Sequence, residues 1–353
     1  MRPMKNLFER LQIDLPLIQA PMAGVQGSAL AMAVSNTGAL GSLPCAMLAP
    51  DALQRELEAL QMSTQRPVNL NFFCHTPPEP DAAREAAWRH LLAPFYAEAG
   101  LDIASVPSGA GRVPFSHAIA DAIEPWRPPV LSFHFGLPAP DLLARVKAWG
   151  AVVLSSATTV PEARWLQAHG ADAIIAQGLE AGGHRGMFLS SDLTTQLRTL
   201  ALLPQVVAAV DLPVIAAGGI ADAAGVAGAM ALGAAGVQVG SAYLCSTEAT
   251  TSALHRAALH SEAAQHTALT TLFSGRPARG IVNRVMRELG ALNAAAPAFP
   301  RATAAMAPLR AHWEAQDSGD FSPLWAGQNA SGCQALPAAD ITRQLARGFT
   351  SGR

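Results

Sequence analysis

Eight short apolar runs, each bounded by Gly, Pro or Asn, constrain this chain more than any other feature. They are Leu15–Ala20, Ala39–Leu43, Val68–Phe73, Val130–Phe135, Ala151–Ser155, Ala173–Gln177, Val214–Ala217 and Val237–Ser241. Each is followed by a longer Ala-rich stretch of helical character, including Ser28–Asn36, Pro50–Met62, Asp81–Glu98, Pro140–Trp149, Pro161–His169, Thr194–Ala209 and Ala221–Leu232. Several of these open on Pro or Asp in the cap region. Continuous apolar runs mark strands covered on both faces, and parallel strands need helical crossovers. Eight strand–helix units over about 240 residues fit an α/β fold of the (β/α)8 TIM-barrel type. A doubly wound parallel sheet is the alternative on pattern alone.

Two stretches exceed a minimal barrel. The connection from His75 to Val130 is too long for one crossover, with Thr76–Pro80 and Val106–Gly111 as its loops, and the residues after the eighth run are rich in Ala, Pro and Arg. The expected organisation is a barrel over 1–244 with a helical insertion at about 75–130, then a mainly helical substrate or lid region over 245–353. Both stretches leave from strand C-terminal ends or follow the last strand, where they cover an active-site mouth. No fixed-period repeat is present beyond the strand–helix alternation, and only Phe349–Arg353 reads as a polar tail.

Half the residues are hydrophobic and 14% are charged, against roughly 25% in an ordinary domain, so a large core is expected rather than disorder. The 24 Lys+Arg and 26 Asp+Glu balance to a net charge of −2. No basic face is concentrated for phosphate neutralisation, which argues against a nucleic-acid binder and a membrane-surface role. Cys45, Cys74, Cys245 and Cys333 lie far apart with no Cys-x-x-Cys pair, so no metal site or disulfide framework is expected. Met1–Asp14 lacks an apolar signal core, and a cytoplasmic protein is expected. Ala223–Thr247 carries no charge and is long enough to span a bilayer. Gly225, Gly228, Gly233, Gly236 and Gly240 punctuate it, which favours a buried helix, turn and strand.

The chemistry concentrates at predicted strand ends. Ala216–Ile220 and Gln238–Ser241 fall after the seventh and eighth strands, where glycine N–H groups and a helix N-terminus commonly hold a phosphate. Glycines that merely make tight turns are the alternative. In 176–186 a strand end runs into a Gly-rich loop with His184 at its apex. There Gly182 and Gly183 let the chain pass a flat ring, and Gln177 offers both a donor and an acceptor. Gln19–Val25 places small residues and Pro21 at the first strand end. Asn69 and Asn71 share one face of the third strand, and each needs a partner, from a ligand or from neighbouring backbone. His134 ends the fourth strand, as a mouth residue or a core histidine, and His75 ends the third. Neither a Gly-x-Ser-x-Gly elbow nor a His-Glu-x-x-His helix is present, which removes hydrolysis by those routes.

Taken together, Leu17–Gly24, Ala176–Gly186, Ala216–Ile220 and Gln238–Ser241 resemble the nitronate monooxygenase family, formerly called 2-nitropropane dioxygenases. The similarity continues through Gly275–Arg284 and Leu324–Ala330. The resemblance implies non-covalent FMN without iron. It places Ala20, Pro21 and Met22 along the flavin, with Asn71 and Gln177 on its polar atoms and Gly182 and Gly183 passing beside it. Gly218, Gly219, Gln238, Gly240 and Ser241 would hold the phosphate end. His184 would be the catalytic histidine, with His134 a lesser candidate near the nitro group. The implied reaction is oxidative denitrification of a nitronate, or of a nitroalkane, with O2 to a carbonyl compound and nitrite. An imidazole serves it either as a cation beside the anion or as a base taking the α-proton. Implied partners are these small molecules alone, in a monomer or weak homodimer.

Within 297–310 the resemblance leads us to expect tyrosine hydroxyls and a lysine facing the substrate's polar tail. This chain offers Phe299, Thr303 and Ala307 there, and its only tyrosines are Tyr96 and Tyr243. A more apolar substrate is the resulting expectation. Two other functions remain open for such a barrel: an NAD(P)H:quinone or enoyl FMN reductase, and a non-catalytic flavin binder.

Overall fold

The computed structural model describes residues 6–106 and 112–350. Most of the expected loop Val106–Gly111, the first five residues of Met1–Asp14 and the end of the polar tail lie outside the described residues. Barrel strands are β1 (Leu17–Gln19), β2 (Gly41–Pro44), β3 (Val68–Phe73), β4 (Val130–His134), β5 (Val152–Ala157), β6 (Ala173–Gln177), β8 (Val214–Ala217) and β9 (Gly236–Val239), with β7 (Gly183–His184) belonging to a second sheet. All neighbours in the order β1-β9-β8-β6-β5-β4-β3-β2 are parallel. The cylinder closes where Gln19 N donates to Leu40 O (2.9 Å) and Leu40 N to Leu17 O (2.9 Å). The last strand thus lies beside the first, which a doubly wound sheet cannot do, and the fold is a (β/α)8 barrel.

Strand periodicity of two sorts the apolar residues. Val152 and Leu154 of β5, Ala173 and Ile175 of β6, and Ile215 and Ala217 of β8 fill the interior together with Leu7, Phe8, Leu11 and Ile13 from the N-terminal segment. That segment, including the helix Asn6–Arg10, therefore plugs one end of the barrel. Gly236 makes room for the plug, because a Cβ there would lie 2.7 Å from Phe8 Cζ. The alternate residues Val153, Ile174 and Ala216 pack outward under the surrounding helices. Ala223–Thr247 resolves into the helix Ala223–Ala231, capped by Asp222 Oδ1 accepting from Gly225 N, then β9 and a tight turn. Among the described residues no helix is long and apolar enough to cross a membrane.

Between β3 and β4 the chain forms the helices Ala82–Glu98 and His117–Ile123. Trp88, Leu92, Phe95 and Tyr96 of the first share a buried cluster with Leu272, Met306, Leu309 and Phe321. One core therefore joins the β3–β4 connection to the C-terminal region. That region also holds an antiparallel hairpin, β10 (Thr267–Thr270) and β11 (Ala278–Ile281), whose β11 pairs with β7: Ala278 faces His184 and Arg279 faces Gly183. The sequence reading missed this sheet. Ala278-Arg279-Gly280-Ile281 carries one β-branched residue, and its partner β7 lies far away in sequence, so no local pattern announces it.

Candidate active site

One cavity opens at the C-terminal ends of the barrel strands, enclosing about 1350 Å³ including its open mouth. It gathers every residue the sequence assigned to catalysis or flavin contact. Ala20, Pro21 and Met22 follow β1, Asn71 lies on β3, and His134 and Gln177 end β4 and β6. Gly182, Gly183 and His184 come from the loop at β7, while Gly218, Gly219, Gln238, Gly240 and Ser241 come from β8, β9 and the turns after them. The two asparagines separate by depth. Asn69 donates inside the barrel to Ser42 Oγ and Ser132 Oγ (both 2.9 Å). Asn71 lines the cavity while donating to Ser132 Oγ at 2.9 Å.

The β6–β7 loop is held by side chains that satisfy its backbone. Gln177 Nε2 donates to His184 O (2.9 Å), and its Oε1 accepts from Gly186 N (2.7 Å). Arg185, wholly buried, donates to Gly178 O and Gln177 O (both 2.7 Å) and to the Gln196 amide. Burial brings its pKa down to about 10, so it stays charged at neutral pH. Gly182 is required by packing, since a Cβ there would lie 2.6 Å from the Ala326 carbonyl carbon. Gly183 is left-handed, with φ 71°, and a Cβ would meet nothing. Backbone packing at Gly182 and backbone conformation at Gly183 are each a reason for glycine here.

His184 Nε2 lies 2.8 Å from Ser274 Oγ. Burial first, then the charge of Arg112, the neighbouring His134 and the charge of Arg276 hold its pKa well below the ordinary imidazole value, so it is neutral at neutral pH. His134 has both nitrogens occupied: Nε2 is 3.1 Å from His184 O and Nδ1 is 3.1 Å from Ser156 Oγ. A carbonyl accepts only, so Nε2 carries the proton and Nδ1 accepts from the serine. Burial lowers the His134 pKa to about 4. Its ring thus braces the His184 backbone. His75 lies outside the cavity lining and is 3.1 Å from Arg112 O through Nε2.

At the other end, Gly218 (φ 116°) and Gly219 (φ 75°) line the cavity in left-handed conformations that glycine adopts at no steric cost. Ser241 Oγ accepts from Gly327 N (2.9 Å), leaving its proton to donate elsewhere. Gln238 Oε1 is buried and without a partner. An orphaned buried acceptor at the cavity wall costs free energy unless a ligand hydroxyl or ring N–H supplies the donor. A nucleotide bearing a polyhydroxyl chain fits this wall.

The residues expected at the substrate's tail fall elsewhere. Phe299 packs against His184 (centroids 5.4 Å) and His75 (4.9 Å), but Thr303 Oγ1 donates to Phe273 O (2.9 Å) and Ala307 is exposed. Neither tyrosine lines the cavity: Tyr96 Oη donates to Ala305 O (2.6 Å) and Tyr243 Oη bonds Thr342 Oγ1 (2.9 Å). Sequence reasoning missed Arg112, His255 and Trp325, which do line it. They come from the β3–β4 connection and the C-terminal region, where no strand-end pattern flags them.

Fold and cavity together define a (β/α)8 barrel with its cavity at the C-terminal face of the strands, where enzymes of this fold keep their active sites. A family model described as nitronate monooxygenase matches residues 4–348, and the chain belongs to that family. It is therefore an oxidoreductase, a nitronate monooxygenase by family. It is 41% identical over 97% of its length to a nitronate monooxygenase of Paraburkholderia phytofirmans, covering 94% of that protein. With one of Pseudomonas aeruginosa it shares 42% identity, covering 97% of this chain and 98% of the other. Among solved structures, a nitroalkane oxidase from Streptomyces ansochromogenes superposes with a TM-score of 0.88 at 36% identity, over 98% of this chain and 99% of that one.

Proposed function

We propose that the protein uses FMN to convert alkyl nitronates, and nitroalkanes more slowly, with O2 to carbonyl compounds and nitrite. The observation that carries this reading is the position of His184, held by its backbone and by Ser274 in the wall of a cavity whose far end is a glycine cradle. FMN, when bound, supplies the electron acceptor. In this reading Gly218, Gly219, Gly240 and Ser241 receive the phosphate, Gln238 the polar chain, Asn71 and Gln177 the ring's polar atoms, and Ala20–Met22 and Gly182–Gly183 its faces.

The protein's own chemistry is then orientation and proton control. With Ser274 Oγ donating to Arg276 O (3.4 Å), Nε2 of His184 carries the proton and Nδ1 is the nitrogen able to take one. Of the two roles left open for the imidazole, base toward a neutral nitroalkane is the one that its lowered pKa supports. His134 and Gln177 keep His184 in place. We assign the enzyme to the cytoplasm on its sequence reading alone. The test is nitrite release from ethyl nitronate and nitroethane in air by wild type and His184→Ala. We expect nitrite from wild type with both; FMN-loaded protein that releases none with either contradicts the proposal.

A further inference from the structure

Among the described residues Arg112 is a cation with no carboxylate partner. Its Nη1 is buried and has no hydrogen-bond partner, and among the described residues it enters no ion pair. The guanidinium carbon lies 5.4 Å from the Phe299 ring centroid, a contact that offers no lone pair. Burial alone lowers its pKa, with no carboxylate acting on it. By contrast the neighbouring Arg276 donates to Met187 O and feels Glu162. A guanidinium nitrogen buried without an acceptor is costly.

The chain nevertheless holds Arg112 where it is. His75 Nε2, at the end of β3, lies 3.1 Å from the Arg112 carbonyl, and the side chain lines the same cavity as His184. Its charge is the largest acting on that imidazole. Four aromatic rings surround His184: Phe73 and Trp325 from the cavity lining, together with Phe135 and Phe299. The histidines there have lowered pKa values, so among the described residues no charged group of opposite sign offsets the cation. A planar, two-oxygen anion matches the guanidinium fork.

We infer that Arg112 determines substrate specificity by receiving an anionic oxygen of the substrate. This rests on the proposed nitronate reaction. The accepting oxygens belong either to the nitronate group itself or to a carboxylate on its tail.

The test compares FMN-loaded wild type with Arg112→Gln and Arg112→Lys. Nitrate, a planar unreactive oxyanion, is titrated by its perturbation of the flavin spectrum, and KM is measured with ethyl nitronate and with propionate 3-nitronate. We expect nitrate binding to weaken about tenfold or more in Arg112→Gln, with Arg112→Lys intermediate because it keeps the charge and loses the fork. A KM rise with both substrates assigns the nitronate group to Arg112, and a rise confined to propionate 3-nitronate assigns the tail carboxylate. Unchanged nitrate affinity and unchanged KM in both variants overturn the inference. If wild type turns over neither nitronate, the functional reading fails, and the nitrate titration still decides whether Arg112 holds an anion. Should Arg112→Gln lose its flavin, Arg112→Lys carries the comparison.

Discussion

At the scale of single residues, the imidazole of His184 and a guanidinium without a carboxylate partner among the described residues line one cavity. Truncating His184 to alanine removes the proton acceptor and leaves the glycine cradle intact. We therefore expect His184→Ala to keep its yellow cofactor and to lose about 100-fold or more of its nitroalkane turnover, measured as nitrite release per bound flavin. Loss of the flavin instead makes His184 structural. The pH profile follows from the direction of the His184 shift. A base must be unprotonated, and this one is held well below 6.5 by burial and by Arg112. Below the nitroalkane's own ionisation, kcat/KM should therefore stay flat as pH falls through about 6.5 and drop only at more acidic values; a midpoint near 6.5 contradicts the assignment. Gly219→Asp should do the reverse of His184→Ala. It sets a negative side chain at a left-handed position beside the cradle, and purified protein should come off colourless, whereas full FMN content rules out the cradle as the phosphate site.

At the scale of elements, legibility followed burial. β3, β6 and β8 lie at the bounds read from their runs; β6 and β8 are covered on both faces and leave little polar alternation to blur them, while β3 keeps its buried Asn69 and Asn71 on one face. β7, β10 and β11 were illegible because they are short and because β7 pairs with β11 far away in the sequence, yet they suspend His184. The glycine loops and His184 were readable from strand ends, while Arg112, His255 and Trp325 reach the cavity only through tertiary packing of the long connections. The helix Ala82–Glu98 shows what that packing is worth. Trp88 is 1% exposed and its Nε1 donates to Ala302 O (3.4 Å), so Trp88→Ala should cost about 3–5 kcal/mol in urea unfolding. A loss below about 1 kcal/mol, within the range of ordinary surface changes, shows that this helix does not anchor the C-terminal region.

At the scale of the whole molecule, buried neutral histidines make folding sensitive to acid. His255 is 5% exposed and lies 3.1 Å from Trp325 O through Nε2, and burial lowers its pKa to about 4. Its folded pKa is below the unfolded value of about 6.5, so the stability is fully present above that value. It declines by up to about 1.4 kcal/mol per pH unit as pH falls toward 4. His255→Gln should flatten the fall in Tm between about pH 6.5 and 4.5; an unchanged slope places the acid sensitivity elsewhere.

The barrel serves all of this by bringing β1, β3, β4, β6, β8 and β9 to one rim, where a single ligand touches groups far apart in the chain. The account as a whole turns on a nitronate passing electrons to FMN in that rim. Anaerobic mixing of the purified protein with ethyl nitronate, and separately with NADH, reads this directly. We predict that the nitronate bleaches the visible flavin absorbance and NADH does not; rapid bleaching by NADH with none by the nitronate would make the protein a reductase on the same scaffold.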